Sequence, residues 1–346
     1  MRAAEIADRF ELGNAPTLSD GPVARGKQGA VWRLDTADGR WAVKVPFEPE
    51  PPDEVLLSTA FHEAAYAAGV PTPQVRRTTD GSVFAAVDGH DVRVYEWVDL
   101  GESDPMLDPE LVGSVIAALH RVEFADDDVP VDPWFVDPIG AEGWDDLIMR
   151  LRAERAPFAR RLAALRDELV ALESWIEPPA STRVCHRDLW ADNVLPALDG
   201  GVCVIDWENS GSADPNQELG MVLFEFARTD QGRARAFVDA YQAAGGPAEV
   251  TRPGHFTMLI ATLGHITEIA GNDWLVPNPR SPSRADSTAW ISEVLDEPHT
   301  RDVLRALLRT VNGARSKLSW PRPAPARSRP GRRPPGRAGR DRPASP

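Results

Sequence analysis

Two rhythms of apolar positions run along the chain. Over the first hundred residues the apolar positions come in short β-branched runs. "AVWRLDT" at 30–36 and "RWAVKVP" at 40–46, separated by Ala37, Asp38 and Gly39, read as a hairpin. A proline-rich break at 48–54 ("EPEPPDE") is followed by "EVLLSTAFHEAAYAAG", a helix expected to stop at Gly69 and Pro71. Three further short strands are expected within 70–77, 81–87 and 90–98. Five strands and one helix make a small α+β unit.

Beyond a break in all periodicity at 98–108, the rhythm lengthens to that of helices. In 108–122 it places Leu111, Val112, Val115, Ile116 and Leu119 on one face. Residues 143–176 read as one long amphipathic stretch stopped by Pro178 and Pro179. "GGVCVIDW" at 200–207 is a short buried strand, and helical patterns resume at 216–229, 231–244, 253–270 and 286–316. No internal repeat is visible. The division predicted is a sheet-rich unit at 1–98, a helical unit at 99–318 and a Pro/Arg-rich tail at 319–346.

Composition narrows the picture. The chain has 346 residues, 42% of them hydrophobic and 26% charged, as in ordinary soluble domains. No run approaches the ~18 apolar residues of a membrane helix, and the first residues lack the order of a signal peptide. With two cysteines, Cys185 and Cys203, neither a disulfide framework nor a zinc knuckle can be built, and a cytoplasmic location is expected. The net charge of −15 hides an asymmetry: eight arginines against one aspartate in 321–346 leave residues 1–320 at −22. So acidic a body argues against nucleic acid as the main ligand and suits a cationic small molecule. The tail has no aliphatic side chain larger than Ala and is expected to be disordered.

The densest chemistry lies at 182–196, "TRVCHRDLWADNVLP". Asp188, Asn193 and Asp206 follow at gaps of 5 and 13 residues, and Asp206 ends the apolar run "VCVID". Magnesium takes a few carboxylate or amide oxygens together with phosphate and water. Asn193 and Asp206 could supply two such ligands and leave Asp188 to orient a nucleophile.

"HRDLWADN" fits the H-R-D-L-x-x-x-N catalytic loop of protein kinases. The chain resembles the aminoglycoside phosphotransferase and choline kinase families, which share that fold. Asp206 is followed by Trp-Glu, not Phe-Gly; no A-P-E segment follows; and "IDWENSGSADPNQEL" resembles that family's "IDW…GDP…DL", with Glu218 where an Asp is usual. The resemblance implies a bilobal, protein-kinase-like α+β fold with a small antiparallel sheet lobe and a larger helical lobe. It also implies ATP and Mg²⁺ as cofactors. "ARGKQGAV" at 24–31 then matches a glycine-rich phosphate cover at Gly26, Gly29 and Val31, with Ala24 in place of the first glycine. Lys44, a lysine in an apolar strand that needs an ionic partner, becomes the phosphate-binding lysine, with Glu63 of the following helix as that partner in preference to Glu54. Backbone groups around Glu96 and Val98 would hold the base. Asp188 would be the catalytic base, Asn193 and Asp206 the metal ligands, and His186 and Asp214 supports of the site. Arg187 receives no role, nor does Asp192, and His120 reads as a core or lobe-contact residue.

Acceptor contacts are expected from the helices after Asp206. "GHITEIAGNDWL" at 264–275 offers His265, Glu268, Asp273 and Trp274, although His265, Glu268 and Trp274 cannot all share one helical face. An aromatic ring with carboxylates suits a cationic amine or amino sugar. The predicted reaction is γ-phosphoryl transfer to a hydroxyl of a small molecule, such as an aminoglycoside-type antibiotic or an amino alcohol. The alternatives are a catalytically silent nucleotide-binding protein, disfavoured because Lys44, Asp188, Asn193 and Asp206 are all present, and a Ser/Thr protein kinase.

Overall fold

The computed structural model describes residues 2–26, 29–125, 130–276 and 283–318. The predicted disordered tail lies outside these residues.

The first part is a seven-stranded antiparallel sheet with a helix on each face. A short helix α1 (Ala3–Phe10) comes first, then strands β1 (Thr17–Leu18), β2 (Ala24–Arg25), β3 (Gly29–Thr36) and β4 (Gly39–Pro46). Helix α2 (Pro52–Ala67) follows, then β5 (Val75–Arg76), β6 (Ala85–Val87) and β7 (His90–Glu96). The strand order is β1-β3-β4-β7-β5, with β2 on β3 and β6 on β7. The expected 30–36/40–46 hairpin is the centre of the sheet, and its register sets Val31 opposite Lys44. On the other side of β4, Lys44 lies opposite Arg93 of β7. Pro52 opens α2 at a position where a missing N–H costs nothing, and Gly69, at φ +83°, closes it. The expectation of one helix omitted α1. Its eight residues are too few to be stable alone; they fold because Ile6, Ala7 and Phe10 pack beneath Leu34, Val43, Val92 and Val94.

The second part is helical: α3 (Pro109–His120), α4 (Gly140–Ala153), α5 (Ala159–Glu173), α6 (Pro215–Ala227), α7 (Gln231–Ala243), α8 (Thr257–Leu275), α9 (Arg284–Asp296) and α10 (Arg301–Leu318). Two expected long helices are each broken in two. The 143–176 stretch divides at Arg155, φ +59°, just before Pro157, and the 286–316 stretch divides at Pro298; a proline ring clashes with the preceding turn and supplies no N–H. Starts follow an Asp-Pro rule: the side chains of Asp108 and Asp214 accept from the N–H of Glu110 and Asn216, each 2.9 Å away, with Pro at the first helical position. Helix α6 is buried along almost its whole length, as the centre of the largest core. A second core joins α4, α5, α9 and the end of α8. Among the described residues no helix is long and apolar enough to cross a membrane.

Four three-residue strands lie between the two parts: β8 (Arg183–Cys185), β9 (Val194–Pro196), β10 (Val202–Val204) and β11 (Gly211–Ala213). β8 pairs with β11 and β9 with β10, both antiparallel, so both ends of loop 186–193 are tied to both ends of turn 205–210. Both cysteines lie in these ladders, Cys185 in β8 and Cys203 in β10, buried and unpaired.

Candidate active site

The two ladders bring the polar residues of the two loops together. The Asn193 carbonyl accepts from the Ile205 N–H at 2.9 Å, and the Ile205 carbonyl lies 3.1 Å from His186 Nε2. His186 is fully buried against the Trp207 ring, and burial holds its pKa below the ordinary imidazole value. A neutral ring donating to a backbone carbonyl supports the loop and does not carry protons.

Asp188 projects from this loop with one carboxylate oxygen held by two amides. Oδ2 accepts from Asn193 Nδ2 at 2.9 Å and from Asn209 Nδ2 at 3.0 Å. Asn193 Nδ2 also donates to the Asp188 carbonyl at 2.8 Å. Both amide hydrogens of Asn193 are therefore committed to Asp188, and its remaining polar atom is a carbonyl oxygen, a donor suited to a hard cation.

Asp206 sits at φ +64°, a left-handed conformation that turns the chain out of β10 into the short helix Trp207–Asn209. Its Oδ1 lies 2.5 Å from Lys44 Nζ. Glu208, two residues on, lies 2.7 Å from the same Nζ and 3.0 Å from Arg93, which also binds Glu50 at 2.7 Å. Two buried cations thus face three carboxylates. Burial pushes Lys44 down, but Glu208 and Asp206 outweigh it and hold the ammonium above its ordinary pKa. Burial raises Glu208, but Lys44 and Arg93 carry it well below the usual carboxylate range. Burial and the Glu208 carboxylate push Asp206 up to about 7 against the pull of Lys44. The side chain of Asp206 keeps 40% exposure while that of Glu208 keeps 8%, so Asp206 is the one open to a ligand.

Behind the loop a second cluster fixes its backbone. Glu218 of α6 accepts the Arg187 N–H at 2.5 Å and lies 2.8 Å from His120 Nε2, whose Nδ1 is 2.8 Å from the Tyr241 hydroxyl. Burial raises Glu218, but the His120 hydrogen bond and the Arg187 N–H bring it net below its ordinary value. Asp214 is buried, caps α6 and accepts the Ala180 N–H at 2.9 Å. Arg187, left without a role by sequence, holds φ +65° and lays its guanidinium over Phe135 at 4.5 Å. Its Nε donates to the Asn209 carbonyl at 2.5 Å. It thereby ties loop 186–193 to the residue that holds Asp188.

At the glycine-rich hairpin, the Gly26 N–H donates to the Gly29 carbonyl at 3.0 Å. A side chain at Gly29 would run into the Val45 carbonyl, so the close approach of β3 and β4 requires a glycine there. Residues 27 and 28 of the match lie outside the described residues. The connecting segment is also pinned: the Glu96 N–H donates to the Gln74 carbonyl at 2.8 Å, and Leu100, two residues past Val98, bridges to Ala197.

Two expected residues stand elsewhere. Glu63 does not reach Lys44; its carboxylate binds Arg77 at 2.7 and 2.8 Å on the outer side of α2. The side chain facing inward beside it is His62, whose ring stacks on Trp207 at 4.8 Å. Trp274 is 7% exposed, packed edge-on against Phe158 and covered by the Arg284 guanidinium, so it belongs to the second core. Asp273 is half-buried beside it in the last turn of α8. Glu268 stands one turn from His265, whose ring stacks on Trp134 at 4.9 Å and lies 3.1 Å from the Asp137 carbonyl. Trp134 adjoins Phe135, the ring beneath Arg187, in the short helix Pro133–Phe135. Sequence reasoning missed Glu208, Asn209, Arg93 and Trp134. The first two lie inside the segment "IDWEN", and Arg93 is an arginine within the alternation of β7.

Residues 21–255 match the phosphotransferase enzyme family. The fold is that of small-molecule kinases. A spectinomycin phosphotransferase solved with ADP and spectinomycin is 14% identical, with a TM-score of 0.63 over 90% of this chain and 98% of that one. An aminoglycoside phosphotransferase from Alicyclobacillus acidocaldarius is 16% identical, with a TM-score of 0.62 over 90% and 97%. A choline/ethanolamine kinase family protein from Mesorhizobium loti is 17% identical, with a TM-score of 0.52 over 90% and 98%. No curated protein matches the chain.

Proposed function

Because the chain belongs to the phosphotransferase enzyme family, we propose that it transfers the γ-phosphoryl group of ATP to a hydroxyl of a small, cationic molecule in the cytoplasm. The observation that carries this reading is the convergence of Lys44, Asp206 and Asp188 on the turn 206–209, with Lys44 bound to Asp206 and Asp188 Oδ2 held by Asn193 and Asn209. Phosphoryl transfer asks a protein to position groups and neutralise charge more than to form bonds of its own. Lys44 would hold the phosphates together with the glycine-rich segment around Gly26 and Gly29, while backbone groups at Glu96 and Val98 hold the base. A divalent cation, Mg²⁺, fits the donor set: a carboxylate from Asp206, a carbonyl oxygen from Asn193, and no closed cage of protein ligands among the described residues. When bound, the cation offsets charge on the phosphates. Asp188, with one oxygen anchored, would accept a hydrogen bond from the acceptor hydroxyl and take its proton late.

For the acceptor we place Glu268 first, with Trp134 and His265 as an aromatic floor and Asp273 further along α8. Rings and carboxylates favour an amine-bearing antibiotic, amino sugar or amino alcohol. Solved proteins of this fold include one bound to spectinomycin and one described as an aminopropanol kinase, which is consistent with either a resistance or a metabolic role.

The test is an ATP-consumption screen across aminoglycosides, other hydroxylated antibiotics, choline, amino sugars and homoserine, with Asp188→Asn as control. One acceptor class should drive consumption, and Asp188→Asn should lower turnover by about 10²–10⁴-fold. Absence of any acceptor, together with no rise in melting temperature on adding Mg·ATP, would overturn the reading.

A further inference from the structure

We propose that Glu208 is the residue that positions Lys44, so that the phosphate-gripping lysine is held by the turn carrying Asp206 and not by helix α2. The inference rests on the phosphotransferase reading and adds the carboxylate that Glu63 does not supply.

Three observations carry it. First, none of the carboxylates paired with Lys44 or Arg93 comes from α2. The residues it contributes around Glu208 and Arg93 are Ser58, Thr59 and His62, which line a cavity of about 10 Å³ with Tyr95 and Trp207. Glu63 lies next to His62 in the helix, about 100° round the axis, and is spent on Arg77. Second, the two carboxylates on Lys44 are not equivalent. Asp206 is part-exposed and is the residue a cation would claim, whereas Glu208 is buried and also bound to Arg93 at 3.0 Å. When Asp206 turns to a ligand, Glu208 still holds Lys44. Third, Arg93 faces Lys44 across the β4–β7 ladder, and the Nη2 that binds Glu208 also binds Glu50 at 2.7 Å. Glu208 is thereby gripped from a rigid strand, and through it Lys44 is fixed to the sheet.

The consequence is mechanical. Lys44 is held by the same turn, 206–208, that carries Asp206, and α2 contributes to that turn through the His62 ring on Trp207 and not through an acid.

The experiment is displacement of a fluorescent ATP analogue by Mg·ATP, on the full chain, with melting curves for every variant. Glu208→Gln should weaken Mg·ATP at least tenfold, while Glu63→Gln should stay within twofold of wild type. In a Lys44→Met background the Glu208→Gln penalty should largely vanish, since a residue acting through Lys44 has nothing left to act on. A role in folding alone would give the same penalty in both backgrounds. If Glu208→Gln fails to fold, Glu208→Asp, which keeps the charge on a shorter arm, should fold and bind with intermediate affinity. Wild-type affinity in folded Glu208→Gln or Glu208→Asp, an undiminished penalty in Lys44→Met, or a larger loss from Glu63→Gln overturns the inference. A wild type that takes up no Mg·ATP counts instead against the proposed reaction.

Discussion

The cleft holds two buried carboxylates of the same residue type that live in opposite ways. Glu208 is surrounded by the charges of Lys44 and Arg93 and shares Lys44 with Asp206. Glu218 meets no lysine or arginine side chain among its hydrogen bonds; it is held by His120 and by the Arg187 backbone N–H. Both are depressed below their ordinary pKa, one by ion pairs, the other by hydrogen bonds. Charges in an ionic cluster can change partners when a ligand brings its own, because the total attraction is shared among several groups. A carboxylate fixed by directional hydrogen bonds to a ring and a backbone has one arrangement. The site therefore combines a face of exchangeable ion pairs with a back wall of fixed hydrogen bonds.

The comparison can be broken most severely at the back wall. Glu218→Ala removes the acceptor for two buried donors at once and should cost about 3–5 kcal/mol, seen as a large fall in denaturant midpoint. A loss under about 1 kcal/mol would mean the wall is not rigid.

Acid should reach the buried histidines next. Burial lowers His62 and His299 to about 4, against 6.5 when exposed, and also lowers His186. Between those values the unfolded chain binds more protons than the folded one, so stability is full above about pH 6.5 and falls as pH drops toward 4. His62 shows why: its ring is buried against Trp207, with Nε2 2.8 Å from Thr72 Oγ1, and burial disfavours the charged ring. Denaturation midpoints measured across this range in wild type and His62→Gln should show a shallower acid limb in the variant.

Asn209→Ala tests the link between the two faces. It removes the Asn209 amide from Asp188 Oδ2 and should lower turnover roughly tenfold with little change in nucleotide affinity, about the effect of one hydrogen bond to a charged group. Equal losses in turnover and affinity would show that Asn209 acts on the nucleotide side. The smallest effect is expected from Gly211→Ala, whose methyl group would meet the Arg187 guanidinium. The end of a flexible side chain can give way, so stability should change by no more than about 1 kcal/mol. Turnover should still fall by a few-fold, because the Asn209 carbonyl loses its donor.

How much of this was legible in sequence depends on whether the signal is local. The hairpin around Lys44, the Asp-Pro helix starts and the H-R-D-L-x-x-x-N loop are written in adjacent residues, and the sheet and helical parts follow from them. The role of Arg187 was not legible, because it depends on Phe135 and Asn209, which come from elsewhere in the chain. The partner of Lys44 is a similar case: spacing along α2 does not say whether His62 or Glu63 faces inward, and the acid that arrives is 164 residues away at Glu208. Trp274 shows the limit of composition, since an aromatic beside acids suits a binding site and a core equally until Phe158 packs on it. The breaks at Pro157 and Pro298 were missed, because the amphipathic pattern on either side of each proline read as one continuous helix.

The only two thiols of the chain sit in the ladders that close loop 186–193 and turn 205–210, Cys185 in β8 and Cys203 in β10. Burial pushes both above their ordinary pKa, so neither is reactive while its ladder is shut. The rate at which a thiol reagent modifies them is therefore a clock for opening of the catalytic loops, built into the native sequence. Mg·ATP should slow that clock in step with its affinity, and the clock can be read with no acceptor present.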